Sequence, residues 1–149
     1  MGELDFTTAA GLISKELGTG VVVENDQQLV IEPERLAEVA QLLRDHRELQ
    51  FDYLSSVTAV DHKTYFEVVY HLTSLTKGHR LNFRTVLNDR EKPALASVTG
   101  TWRGADLQER EIFDFYGIEF TGHPNLKRLF LWDGFPGYPF RKDWVSRDS

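Results

Sequence analysis

With 149 residues, the chain is long enough to bury an ordinary core as one domain, and its 41% hydrophobic and 27% charged content is that of a soluble globular protein. Zero cysteines exclude disulfides, thiolate zinc sites, iron–sulfur ligation and a cysteine nucleophile in this chain. A net charge of -6 argues against nucleic acid, which needs a basic face, and no apolar run approaches the roughly 20 residues of a bilayer span.

The opening MGELDFTTAA lacks the basic and apolar regions of a signal peptide, so any meeting with a membrane is expected to go through another chain. From Asp5 to Leu17, Phe6, Ala9, Ala10, Ile13 and Leu17 fall at helical spacing, with Asp5 placed as N-cap and Gly18 as stop. Val21 to Val23 and Leu29 to Ile31 are short β-branched runs around Glu24-Asn25-Asp26-Gln27, which predicts a hairpin. Pro33 at a first helical position, then Leu36, Val39, Ala40, Leu42 and Leu43, predict a second amphipathic helix to about Arg47.

Three strands are predicted next: Phe51 to Val60 and Tyr65 to Leu72, joined at Asp61-His62-Lys63, then Arg80 to Leu87. In the second, Phe66, Val68, Tyr70 and Leu72 make one wholly apolar face. In the third, Leu81, Phe83, Thr85 and Leu87 do much the same. Residues 88–105 read as an irregular crossing loop with a short strand near Leu95. The order helix-strand-strand-helix-strand-strand-strand with a mixed sheet, then a further short helix and an extended C-terminal segment, predicts an α+β two-layer sandwich. One domain is expected over 1–144, with 145–149 a frayed end.

In the helix expected at 105–116, Ala105, Ile112, Phe113 and Tyr116 share one face, while Leu107, Arg110, Glu111 and Asp114 cluster on the other. Glu109 falls inside the apolar stripe. A buried carboxylate is costly unless paired, so it is expected either to be a general acid or base with a raised pKa or, more simply, to pair with Arg84, Arg128 or Arg141. Arg110 and Asp114, four apart, are expected to form a solvated surface pair. Glu109 and Glu111 point about 200° apart on a helix, which counts against a paired-carboxylate hydrolase.

The five histidines show no metal-pair spacing, and there is no nucleophile elbow, phosphate loop or dinucleotide fingerprint. Gly122-His123-Pro124 reads either as the presentation of an exposed imidazole or, more simply, as a turn with restricted backbone. The aromatics Phe130, Trp132, Phe135, Tyr138, Phe140 and Trp144, interleaved with Gly134, Pro136, Gly137 and Pro139, are expected to pack back on the domain or to form a contact surface.

The run EREIFDFYGIEFTGHPNLKRL, residues 109–129, resembles the signature of the hydrophilic C-subunit family, the thirty-kilodalton subunit, of respiratory Complex I. Glu109-Arg110-Glu111, Asp114, Phe115-Tyr116 and His123 carry the resemblance, with Arg141-Lys142-Asp143 similar to the family's closing R-K-D. Phe51 to Leu54, Val57 to Asp61 and Phe66 to Leu72 are similar to its central strands. Leu107-Gln108 before E-R-E and Phe115-Tyr116 within the helix depart from the common family pattern.

The resemblance implies a peripheral-arm subunit of a proton-translocating NAD(P)H:quinone oxidoreductase, with no active site of its own, that braces the large quinone-site D-type subunit among other peripheral-arm subunits. It implies that flavin, iron–sulfur clusters and quinone belong to partner subunits and that the protein lies on the cytoplasmic side of the membrane. Its motif residues, the expected partner interface, are Glu109, Arg110, Glu111, Asp114, His123, Pro124, Arg128, Arg141, Lys142 and Asp143. Similar subunits of membrane-bound hydrogenases and F420-linked complexes are an alternative. A free-standing hydrolase using Glu109 and His123 is a remote one.

Overall fold

The structure is a computed structural model in which residues 2–132 and 134–145 are described. Helix α1 (Phe6–Leu17) begins where the Asp5 carboxylate accepts from the Thr7 amide at 3.1 Å and ends at Gly18, as its flanking residues predict. Strands β2 (Val22–Val23) and β3 (Val30–Ile31) form the expected antiparallel hairpin. Asn25 organises its turn by accepting from the Gln27 and Gln28 amides at 2.9 and 3.0 Å. Pro33 opens a 3-10 turn, Pro33–Arg35, which leads into α2 (Leu36–Asp45). That helix stops short of Arg47 because His46 turns to extended backbone, with ψ 130°.

Three long strands follow: β4 (Tyr53–Asp61), β5 (Phe66–Ser74) and β6 (His79–Leu87), paired antiparallel in sequence order. On one sheet face Phe66, Val68, Tyr70, Leu72, Leu81, Phe83 and Leu87 pack with Ala9, Ile13, Leu36, Val39, Ala40 and Leu43 of the helices. The opposite face carries Glu67, His71, Asn82 and Arg84, half-buried. Thr85 lies in the core without penalty because its hydroxyl donates to the Ile31 carbonyl at 2.8 Å. The sheet runs β2-β3-β6-β5-β4, and β3 joins β6 in parallel, so the sheet is mixed. The α+β two-layer sandwich is therefore what the chain forms.

A two-residue strand, β1 (Gly2–Glu3), adds to β6 in parallel, and its brevity leaves no periodicity to read. Residues 88–105 are more ordered than a crossing loop. Strand β7 (Ala94–Ala96) pairs in parallel with β8 (Glu119–Thr121) as a separate small sheet. Leu95, Val98 and Trp102 are buried there, and the Trp102 indole donates to the Phe51 carbonyl at 2.8 Å. Helix α3 (Ala105–Tyr116) is fixed to β4 by Gln108, whose side-chain oxygen accepts from the Val57 amide at 2.7 Å just past the irregular register at Leu54/Ser56.

α3 ends at Gly117, left-handed at φ 76°. A Cβ there would lie 2.7 Å from the Tyr138 ring, so the position requires glycine both for its backbone and for its space. Gly117→Ala is expected to cost at least about 1–2 kcal/mol for the left-handed backbone alone. Displacement of Tyr138 adds a further loss. Urea unfolding of the single and double variants checks this: in a Tyr138→Ala background the same substitution costs less, and equal costs would mean that the ring contact is unimportant.

Candidate functional site

Among the described residues, three carboxylates are buried: Asp61, Glu109 and Asp114. Glu109 stands on the core face of α3, as its place in the apolar stripe predicts. Its partners are not arginines. The Ser97 hydroxyl donates to Oε1 at 2.6 Å and the Val98 amide to Oε2 at 2.9 Å. Arg84 instead lies 3.4 Å from Glu67, and Arg128 and Arg141 serve other groups. The expected ion pair fails because the segment facing Glu109 offers a hydroxyl and a main-chain donor, which hold a carboxylate without a second desolvated charge. Burial pushes the Glu109 carboxyl up, against the opposing pull of Ser97, Val98 and the nearby His123.

His123 is buried at its side chain and braces the start of α3. Nε2 lies 3.1 Å from the Asp106 carbonyl and 3.0 Å from Asp106 Oδ1, while Nδ1 accepts from the Asn125 amide at 2.9 Å. Pro124 is exposed. Neither Glu109 nor His123 offers a substrate any surface, which removes the access that a hydrolase built on them needs.

Asp114 sits on the face of α3 expected to be solvated, yet it is fully buried. It does not pair with Arg110. Its Oδ2 accepts from three consecutive amides, Leu129 at 3.2 Å, Phe130 at 2.7 Å and Leu131 at 3.1 Å, and Oδ1 accepts from Arg128 at 3.1 Å. The following segment folds over this end of the helix and takes both groups of the expected surface pair inward. Burial works against the Asp114 charge, but those donors outweigh it and hold the carboxyl below its ordinary value. Arg110 donates to the Lys127 and Arg128 carbonyls, both at 3.3 Å. Glu111 is exposed.

Arg128 is a hub. Besides Asp114 it donates to the Phe135 and Gly137 carbonyls at 3.3 and 3.0 Å, and its guanidinium lies 4.6 Å from the Tyr138 ring centre. Further on, the Phe140 amide donates to the Phe115 carbonyl at 3.0 Å and Arg141 Nε to the Tyr116 carbonyl at 2.6 Å. The Lys142 amide donates to Asp61 Oδ2 at 2.7 Å. Asp61 also accepts from the Lys63 amide and both terminal nitrogens of Arg90, and Arg90 reaches Asp143 at 3.3 Å. These donors, Arg90 foremost, hold the Asp61 carboxyl far below its ordinary value despite burial. The sequence places Asp61 at the end of a strand and the start of a turn, without singling it out as a site residue. Its signal was that strand alternation carries it, like Val57, to a buried position.

The tail therefore packs back and also presents a surface. Phe115 is stacked between Phe140 at 4.2 Å and Phe130 at 5.7 Å. Phe130 remains 64% exposed, Trp132 66% and Phe140 52%. Of the end expected at 145–149, residues 146–149 lie outside the described residues. Among the described residues no group of His, Cys, Asp and Glu is arranged to hold a metal ion.

Over residues 29–149 the chain matches the family described as respiratory-chain NADH dehydrogenase, 30 Kd subunit. It is 42% identical over 136 residues to the second C-type subunit of the NADH-quinone oxidoreductase of Rhizobium etli (strain CIAT 652), covering 89% of this chain and 70% of that one. Against the C/D-type subunit of the NADH-quinone oxidoreductase of Bacteroides thetaiotaomicron (strain ATCC 29148 / DSM 2079 / JCM 5827 / CCUG 10774 / NCTC 10582 / VPI-5482 / E50) it is 43% identical over 114 residues, covering 69% of this chain and 22% of that one. The chain spans 65 to 70% of the length of several C-type relatives. Among solved structures, the trypsin-resistant fragment (1-134) of Nqo5 superposes with a TM-score of 0.62 at 29% identity, covering 79% of this chain and 99% of that one. A chain of a membrane-bound sulfane sulfur reductase, an archaeal respiratory membrane complex, shares the fold with a TM-score of 0.73 at 22% identity, covering 95% and 86%.

The carboxylates respond oppositely to acid. Glu109, raised on folding, favours the folded state most below its unfolded value of about 4.3, and that contribution declines as pH rises through the folded value. Asp61, lowered on folding, contributes above about 3.9 and loses its contribution as pH falls below that. Asp61→Asn is thus expected to cost about 3 kcal/mol at neutral pH. The gap from the native chain should narrow steadily in acid below about pH 4. Glu109→Gln keeps acceptor and shape and is expected to stay within about 1 kcal/mol at neutral pH, whereas Glu109→Ala orphans the Val98 amide for at least about 1–3 kcal/mol. Urea titrations between pH 3 and 8 decide both, and a pH-independent gap for Asp61→Asn would overturn the assignment.

Proposed function

The chain belongs to the family of the 30 Kd subunit of the respiratory-chain NADH dehydrogenase, and from that membership we propose that it is a peripheral, non-catalytic member of a proton-translocating NAD(P)H:quinone oxidoreductase that braces the quinone-site subunit. On this reading flavin, iron–sulfur clusters and quinone reside in partner subunits. The protein is held at the cytoplasmic side of the membrane by the complex and not by a span of its own. Among the described residues, no helix is long and apolar enough to cross a membrane.

The observation that carries this reading is the set of exposed rings Phe130, Trp132 and Phe140 on a tail whose main chain is tied to α3 and β4. Large aromatics left in water on a fixed backbone are the side chains that dominate protein interfaces. Relatives named as C/D-type subunits are consistent with the D-type, quinone-site protein as occupant, since the matched stretch there shares a chain with more sequence than this chain spans. The buried carboxylates support the same role: both oxygens of each accept hydrogen bonds from within the chain.

Co-expression with the cognate quinone-site subunit is expected to yield a stable 1:1 complex, and the purified chain alone to be colourless. Trp132→Ala is expected to weaken that complex by about tenfold or more, the loss of an interface anchor. The isolated chain should change in stability by about 0.5 kcal/mol or less, as for other surface substitutions. Titration calorimetry and urea unfolding measure the two, and undiminished binding by Trp132→Ala together with Phe140→Ala would remove the tail from the interface.

A further inference from the structure

The arrangement of donors around Asp114 reaches beyond the stability of α3. Residues 129–131 belong to neither a helix nor a strand, yet their three successive amides converge on one oxygen. Successive amides in a strand point alternately to opposite sides, so this convergence bends the chain into a concave nest around an anion. Arg128, the residue just before, holds the other oxygen and fastens the Phe135 and Gly137 carbonyls, closing the loop from its far side. Phe130 is the central donor. Its position brings its ring onto Phe115, whose other neighbour in the stack is Phe140. Thus the direction in which an exposed aromatic faces solvent is set by a carboxylate that is itself fully buried.

We propose that Asp114 is the positioning residue of the docking surface, holding residues 129–131 and the Phe130 ring in the binding arrangement before the quinone-site subunit arrives. The inference rests on the docking reading above. Without that anion the amides of 129–131 turn to water and the loop must be ordered at the moment of association, an entropic cost that preformed loops avoid. The chemistry demands a carboxylate. Every group facing Asp114 through these contacts is a donor, so both oxygens must accept, whereas an Asn amide would turn its own N–H groups toward either the three amides or Arg128. Phe115 and Phe140 contribute the rest of the stack, and Arg110, bonded to the Lys127 and Arg128 carbonyls, fixes the loop's entry.

Asp114→Asn preserves shape, removes the charge and replaces one of the two acceptor oxygens by an N–H donor. In the isolated native chain, amide hydrogen exchange at Leu129, Phe130 and Leu131 is expected to be protected in the absence of any partner, and unprotected amides would overturn the proposal whatever the variants do. In Asp114→Asn those amides should exchange about tenfold faster or more while those of β5 keep their native rates. Binding to the purified quinone-site subunit should weaken about tenfold. Phe130→Ala is expected to weaken binding in the native chain but to add less than about threefold in the Asp114→Asn background, because the ring is no longer aimed. Native affinity in Asp114→Asn, or full additivity of the two substitutions, would sink the proposal. If Phe130→Ala and Trp132→Ala both bind that partner like the native chain, the docking reading itself fails. If they weaken binding and Asp114→Asn does not, only the positioning role fails.

Discussion

The C-terminal end of α3 is the point on which this structure turns. A helix leaves its last carbonyls without internal partners, and an irregular tail leaves its own main-chain groups in the same position. Here each deficit meets the other. The Phe113 carbonyl accepts from the Gly117 amide, that of Asp114 from Arg128, that of Phe115 from the Phe140 amide, and that of Tyr116 from Arg141. Two of the four donors are guanidinium groups, which also suit the negative end of the helix dipole. The tail's attachment to α3 is thus a consequence of helix termination, and Gly117 is the residue that lets the chain leave the helix with Tyr138 lying directly over it.

Three buried carboxylates show how environment divides one chemistry into different roles. Glu109 binds the 97–98 turn to the helix with neutral donors, tolerating a raised pKa. Asp61 and Asp114 gather main-chain amides together with a guanidinium and remain strongly ionised. They form two anchors for one segment: Asp114 at residues 128–131 and Asp61 at Lys142. In none of the three is an oxygen left pointing into open space beside an exposed base, which is the arrangement acid–base catalysis requires. These three carboxylates serve as anchors of the fold.

How much of this could be read in the sequence follows from where the information sits. The spacing in α1, α2 and the paired faces of β5 and β6 is local and repeated, so those elements and their burial are legible, as is the inward direction of Glu109. What faces Glu109 is not, because a serine hydroxyl and a main-chain amide carry no charge pattern to search for. Asp114 is misread for a related reason: its donors lie 14 to 17 residues on, in a segment without periodicity. Strands of two or three residues such as β1 and β8 are set by pairing alone, whereas β7 falls where a short strand near Leu95 is expected. The tail's aromatics divide between packing and exposure in a way no spacing encodes. Tyr138 and the Phe140 main chain turn in, while the rings of Phe130, Trp132 and Phe140 stay out.

That division also determines what kind of surface the tail offers. Arg110, Arg128 and Arg141 are all engaged with carbonyls and a carboxylate within the chain, so the most strongly basic groups of the family motif are not free to make charge pairs outward. What faces solvent includes the rings of Phe130, Trp132 and Phe140, with Lys127, Lys142 and Asp143 exposed beside them. Attraction through exposed lysines is screened within about 10 Å at ordinary salt and chiefly affects encounter and orientation. Removal of aromatic area from water is not screened, and it depends on the rings being held at fixed positions. By turning its arginines inward, the chain commits those charges to its own hydrogen-bonded frame and leaves exposed aromatic rings beside a few exposed charges. Such a face suits a long-lived association between subunits better than a transient, electrostatically steered one.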